Sequence, residues 1–219
     1  MPALLFDLDG TMLNSDDIHE QVYRELWADR GLVMEDGFYM ENVHGRLNVD
    51  VFAKYLPDEG DPQGLSEWKE AQFRDRLPTP YPAMPGVLDL LHAAQNDGWR
   101  VAVVTNAMRL NAEAMLSAIG ARGAIETMVI GEECARGKPH PEPYLQAMKA
   151  LDMPAAQCIA FEDSTTGVQA AAASGAYTIG VRSGLSDQDL RAHGAQDSIQ
   201  DFTDIALPDL LARLKGVVA

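Results

Sequence analysis

Two aspartates one residue apart, Asp7 and Asp9, close an apolar run that reads ALLF over residues 3–6, and Gly10 and Thr11 follow them. Taking one carboxylate out of water is costly unless a cation or hydrogen-bond donors compensate it, and a second close by adds repulsion. A Mg²⁺ ion would meet both difficulties, because it takes oxygen ligands and can bridge to a phosphate. Asp-Gly after an apolar run is equally a hairpin-turn signal. The pair by itself therefore admits a site or a turn.

Further polar groups share this placement. Thr105 and Asn106 end the run VAVVT, Lys138 follows the run ETMVI after a short loop, GEECARG, and Glu162 and Asp163 end CIAF. Together these residue types are the equipment for phosphoryl transfer through an aspartyl phosphate. One carboxylate can attack phosphorus and divide a difficult displacement into two easier ones. The other can protonate the leaving oxygen and later take a proton from the hydrolytic water. A hydroxyl, an amide and an ammonium can hold the equatorial oxygens as charge develops, and a distal acidic pair can complete a Mg²⁺ shell. Each group has a plainer explanation: a Lys-Pro loop, a β-branched strand residue at Thr105, a helix cap at Glu162-Asp163-Ser164. Those explanations do not account for four polar strand ends in one sheet.

The elements that must position these groups alternate from Met84 onward. PGVLDLLHAAQNDGW has the spacing of an amphipathic helix stopped near Asp97-Gly98, VAVVT (101–105) that of a short buried strand, and NAEAMLSAIG that of a helix with a C-terminal glycine. ETMVI (126–130), QCIAF and YTIGV read as strands, while PEPYLQAMKAL, with prolines in its first turn, and TTGVQAAAASG read as helices. Short apolar strands alternating with helices predict βαβ units and a parallel sheet covered on both faces. Such sheets hold their ligands at the carboxyl ends of the strands.

Between Ser15 and about Leu77 the pattern is helical instead. DDIHEQVYRELWADRG, VDVFAKYL and GLSEWKEAQFRDRL carry it, and LPTPYPAMPG, with four prolines and one glycine, reads as the linker back. The expected organisation is a core of residues 1–14 and 84–219, with residues 15–83 a helical insertion including its linkers.

The bulk properties narrow the function. A chain of 219 residues, 47% hydrophobic, can bury a substantial core, and its net charge of −16 argues against nucleic-acid or acidic-membrane partners. An anionic substrate then needs a local positive field. No stretch approaches the ~18 apolar residues of a membrane span, and the N-terminus lacks the marks of a signal peptide. Two cysteines, Cys134 and Cys158, fit reduced thiols and form no metal pattern. A cytoplasmic monomer is expected.

DLDGT, the strand ending in TN, GKPHPEPY and the FEDS run resemble the four motifs of the haloacid dehalogenase-like hydrolase superfamily, from Leu4 to about Gly184. The resemblance implies a doubly wound, Rossmann-like α/β core with a small inserted α-helical cap. It implies Asp7 as nucleophile and Asp9 as general acid/base. It also implies Thr105 and Asn106 as phosphate ligands, Lys138 as the stabilising lysine, and Mg²⁺ on Asp7, Asp9, Glu162 and Asp163, with the Asp9 carbonyl on the metal.

The family's dehalogenases lack the second aspartate, so Asp9 favours a phosphate ester. A phosphatase of a sugar phosphate or phosphoglycolate is expected, with a β-phosphoglucomutase-like mutase as the alternative. A non-catalytic phospho-aspartate receiver is the rival of another class. His19 and Lys69 resemble cap residues of the same subfamily. His44, Gly45, Arg46 and Asn48 form the expected substrate-reading loop, in which Arg46 could grip a carboxylate or second phosphate. Arg109, at a helix start, is expected on the pocket rim.

Overall fold

A computed structural model describes residues 2–44 and 46–215. Among them, six strands form one sheet: β1 (Ala3–Phe6), β2 (Arg100–Thr105), β3 (Thr127–Ile130), β4 (Cys158–Glu162), β5 (Tyr177–Val181) and β6 (Asp197–Ile199). Their order is β3-β2-β1-β4-β5-β6 and every pairing is parallel. β1 therefore runs between β2 and β4, with Leu4 opposite both Val101 and Ile159. A strand enclosed on both edges and both faces has to be apolar throughout, and Ala3, Leu4, Leu5 and Phe6 are fully buried.

In chain order the helices are α1 (Asp16–Ala28), α2 (Phe38–Asn42), α3 (Asn48–Tyr55), α4 (Pro62–Arg76), α5 (Val87–Asn96), α6 (Arg109–Ala118), α7 (Glu142–Ala150), α8 (Thr165–Ala173), α9 (Asp187–Ala192) and α10 (Leu207–Lys215). The chain divides into two compact units, one of Met1–Asn14 with Thr79–Ala219 and the other of Ser15–Pro78. In the first, α7 and α8 cover one face of the sheet: Tyr144, Ala147, Met148, Ala170 and Ala171 pack with Leu5, Val104 and Ala160. The second is helical and has its own aromatic core of Tyr23, Trp27, Tyr39 and Phe52. Among the described residues no helix is long and apolar enough to cross a membrane.

This strand order reverses direction between β1 and β4, and an open α/β sheet binds its ligands in the crevice beyond the carboxyl ends at that reversal. Asp7 follows β1 and Glu162 ends β4, so the acidic residues stand at the reversal itself. The hairpin alternative for Asp9-Gly10 is overturned, because β1 has only parallel neighbours. The chain instead curls after β1, with the Met12 amide donating to the Leu8 carbonyl at 2.7 Å and the Gly10 amide to Leu13.

Candidate active site

Asp7 leaves β1 with its amide bonded to the Phe161 carbonyl of β4 (2.9 Å), which fixes where its side chain departs. The residue is 8% exposed. Lys138, carried by the loop after β3, places Nζ 2.5 Å from Asp7 Oδ1 and 2.5 Å from Glu162 Oε1, with 3% of its side chain exposed. Glu162, fully buried, also accepts from the Tyr144 hydroxyl at Oε1 (2.8 Å) and from the Ser164 hydroxyl at Oε2 (3.2 Å). That serine in turn caps α8, its Oγ accepting from the Gly167 amide at 3.1 Å. The cap and the acidic site are thus one arrangement.

Asp163, next to Glu162, accepts from the Thr11 hydroxyl at 3.0 Å and the Ser183 hydroxyl at 3.4 Å. Gly10 makes this approach possible. Its φ of +86° is in the left-handed region, and a Cβ there would overlap Asp163 Oδ2 and lie 2.6 Å from Cγ. Carboxylate oxygens of Asp7, Glu162 and Asp163 all lie within 4.8 Å of one another.

Three clustered carboxylates with one ammonium between them are short of positive charge. Burial pushes the Asp7 carboxyl above its usual range; Lys138 opposes that, while Glu162 and Asp9 add to it. Asp163 is likewise pushed well up, by burial and then by Asp7 and Glu162. Burial would lower the Lys138 ammonium, but Asp7 and Glu162 outweigh it and hold the lysine above its ordinary range. An all-oxygen donor set with surplus negative charge fits a hard divalent cation such as Mg²⁺.

The remaining residues singled out in the sequence take varied positions. Asp9 is partly buried, and its backbone pairs with Leu13 in an isolated bridge. Thr105 ends β2 buried, its hydroxyl accepting from the Ala107 amide at 3.1 Å, and Asn106 follows it at the exposed edge. Arg109 is half-exposed and engages Glu133 through Nε (2.7 Å) and Nη2 (2.6 Å), so its fork is matched to a neighbouring carboxylate.

Within the helical unit, His19, Lys69 and Asn48 belong to one partly buried network around Lys69. Lys69, 3% exposed, donates to His19 Nδ1 (2.6 Å) and Glu70 Oε1 (2.9 Å). The Asn48 amide donates to Glu70 (2.5 Å) and Ser66 (3.2 Å) and accepts from the Tyr23 hydroxyl (2.6 Å). The His19 ring stacks on Phe73 with centroids 4.0 Å apart. By contrast His44 is exposed, 3.5 Å from Asp16, and Arg46 is exposed, donating to the Glu41 carbonyl at 3.2 Å. Gly45 lies outside the described residues.

This network should make stability acid-sensitive. Burial, then the Lys69 charge, lowers the His19 pKa to about 3. A histidine near 6.5 when unfolded takes up its proton in the unfolded chain first, so its contribution is complete above that value and is lost as pH falls toward 3. Between pH 7 and pH 5 the loss from this group is about 2 kcal/mol. Urea unfolding of the native protein and of His19→Gln at both pH values is expected to show the native protein losing more. Parallel losses would remove His19 as the cause.

Ser164, read from the sequence with Glu162 and Asp163, both caps α8 and bonds Glu162, whereas Thr11, Tyr144 and Ser183 carry no individual signal, Thr11 being legible only as part of DLDGT. Tyr144 was legible only as the apolar face of a helix, and nothing in the sequence flagged Ser183.

A family model described as haloacid dehalogenase-like hydrolase matches residues 4–181. A phosphoglycolate phosphatase of Cupriavidus necator is 34% identical over 218 residues, covering 95% of this chain and 92% of that protein. Protein CbbY of Rhodobacter capsulatus is 31% identical over 192 residues, 80% of this chain and 82% of its own length. A crystal structure of mutant CbbY from Rhodobacter sphaeroides, in complex with xylulose-(1,5)bisphosphate, superposes with a TM-score of 0.78 at 27% identity, covering 92% of this chain and 95% of that one.

Proposed function

This chain belongs to the haloacid dehalogenase-like hydrolase family as a phosphoric monoester hydrolase, and from that premise we propose that it hydrolyses a small phosphate monoester, a sugar phosphate or phosphoglycolate, with magnesium, through a phosphoaspartate on Asp7. The observation that carries the reading is the lysine bridge: Nζ of Lys138 within 2.5 Å of both Asp7 and Glu162, beside a third carboxylate, Asp163. The relatives support the substrate class, one being named for phosphoglycolate and another solved with a sugar bisphosphate.

Asp7 attacks phosphorus through a carboxylate oxygen; that O–P bond forms as the bond to the leaving oxygen breaks. Asp9 gives its proton to the leaving oxygen and recovers one from the water that hydrolyses the phosphoaspartate. Lys138, the Thr105 hydroxyl and the Asn106 amide hold the equatorial oxygens. Magnesium would be held by Asp7, Asp9, Glu162 and Asp163, and when bound it would supply the positive charge that the three clustered carboxylates lack. Substrate choice is assigned to the helical insertion, residues 15–83, Arg46 foremost, with His19, His44, Gly45, Asn48 and Lys69, and to Arg109 of the core.

Phosphate release measured across sugar phosphates, phosphoglycolate, nucleotides and p-nitrophenyl phosphate tests this reading. Steady turnover, stopped by EDTA and restored by magnesium, with sugar phosphates or phosphoglycolate preferred, is the expected result. Arg46→Ala is expected to shift that preference and spare p-nitrophenyl phosphate. A single stoichiometric labelling of the protein without further turnover, or isomerisation of β-glucose 1-phosphate with glucose 1,6-bisphosphate present and no phosphate released, would overturn it.

A further inference from the structure

We infer that Gly131 is a positioning residue: it is kept free of a side chain so that the carboxamide of Asn106 can occupy the space beside it. The inference rests on the reading of Asn106 as a phosphate contact. Thr105 of β2 lies opposite Ile130 of β3 in the parallel ladder, so Asn106 and Gly131 are the next pair at the carboxyl edge. Adjacent strands stand about 4.8 Å apart, which brings a side chain at one such position over its neighbour.

The space is fully used. A Cβ on Gly131 would overlap Asn106 Oδ1 and lie 3.1 Å from its Cγ and 3.4 Å from its Cα, against the roughly 3.5–4.0 Å of ordinary carbon contacts. One Cβ at Gly137, at the other end of the GEECARG loop, would meet the same oxygen at 3.4 Å. The carboxamide is thus seated between the two glycines that bound this loop, and the next residue is Lys138. Gly131 is buried and does not have the positive φ of Gly10. Nothing in its backbone calls for glycine, and where the conformation allows it an alanine stabilises by restricting the unfolded chain. The requirement is therefore one of space, and the oxygen filling that space belongs to Asn106.

A double-mutant cycle on the full-length protein tests this. Asn106→Ala is expected to lower kcat/KM by about tenfold or more and to raise the inhibition constant of inorganic phosphate. Gly131→Ala should do the same by displacing the carboxamide, with its melting temperature unchanged or raised. In the Asn106→Ala background, Gly131→Ala should add nothing, since no carboxamide remains to displace. If Gly131→Ala folds poorly, adding Asn106→Ala should restore folding. Multiplying losses, a silent Gly131→Ala beside a damaging Asn106→Ala, or a double variant that stays unfolded would each overturn the inference. A silent Asn106→Ala would instead remove the phosphate-contact reading and the inference with it.

Discussion

Asp7→Asn is expected to abolish turnover, lowering kcat by about 10⁴-fold or more, while leaving a folded protein of equal or higher thermal stability without metal. The two halves have one cause. The amide keeps the shape of the aspartate but cannot attack phosphorus. Because burial raises the Asp7 carboxyl, its ionised form is disfavoured in the folded state. Stability is therefore lost as pH rises from the unfolded value through the folded one, and at pH 8 a neutral side chain removes that loss. The amide also relieves repulsion with Glu162 and Asp163, while Lys138 keeps Glu162 as its partner. Magnesium should then raise the melting temperature of the native protein more than that of the variant. Phosphate release and thermal melts at pH 8, with and without magnesium, check this. Near-native turnover in Asp7→Asn would end the assignment of the nucleophile.

Much of this arrangement was legible because parallel strands enclosed on both faces must be apolar, so any polar residue at their ends stands out. ALLF and YTIGV emerge as β1 and β5 with the bounds the pattern predicts. β6 escaped that logic: it has three residues, two of them polar, at the sheet's edge, where only one side must be covered. The strand order was not legible either. Local patterning says that Asp7 and Glu162 end strands, but only the pairing of β1 with β4 makes them neighbours. Contacts made across long sequence distances, such as Thr11 with Asp163 or Tyr144 with Glu162, depend on that order and had no local signature. In the helical unit, helix periodicity was plain, yet the burial of Lys69 among Glu70, His19 and the Tyr23 ring was not. Lysine is ordinarily exposed, and it can be buried here because a carboxylate and an imidazole nitrogen meet its ammonium.

Lys138→Met is expected to damage both activity and stability, and the second effect should depend on pH and metal. Methionine keeps most of the apolar stem but removes the ammonium that Asp7 and Glu162 share at 2.5 Å. Breaking one side of a buried ion pair typically costs about 3–5 kcal/mol, because the partner charges remain buried and uncompensated. Loss of a donor to the developing phosphoryl charge costs about 10²–10³-fold in kcat. Without the lysine, the already raised carboxyls of Asp7 and Asp163 go higher still. The folded state then holds more protons than the unfolded chain from the ordinary carboxylate range up to those raised values, and stability falls as pH climbs through that window. The deficit relative to the native protein should therefore be larger at pH 8 than at pH 5. Millimolar magnesium should recover part of it at pH 8, by supplying from solution the charge the side chain no longer provides. Chemical unfolding at the two pH values, with magnesium or EDTA, measures each arm. An equal deficit at pH 5 and pH 8 that magnesium leaves unchanged would mean that Lys138 serves packing, and that the site's negative charge is balanced elsewhere.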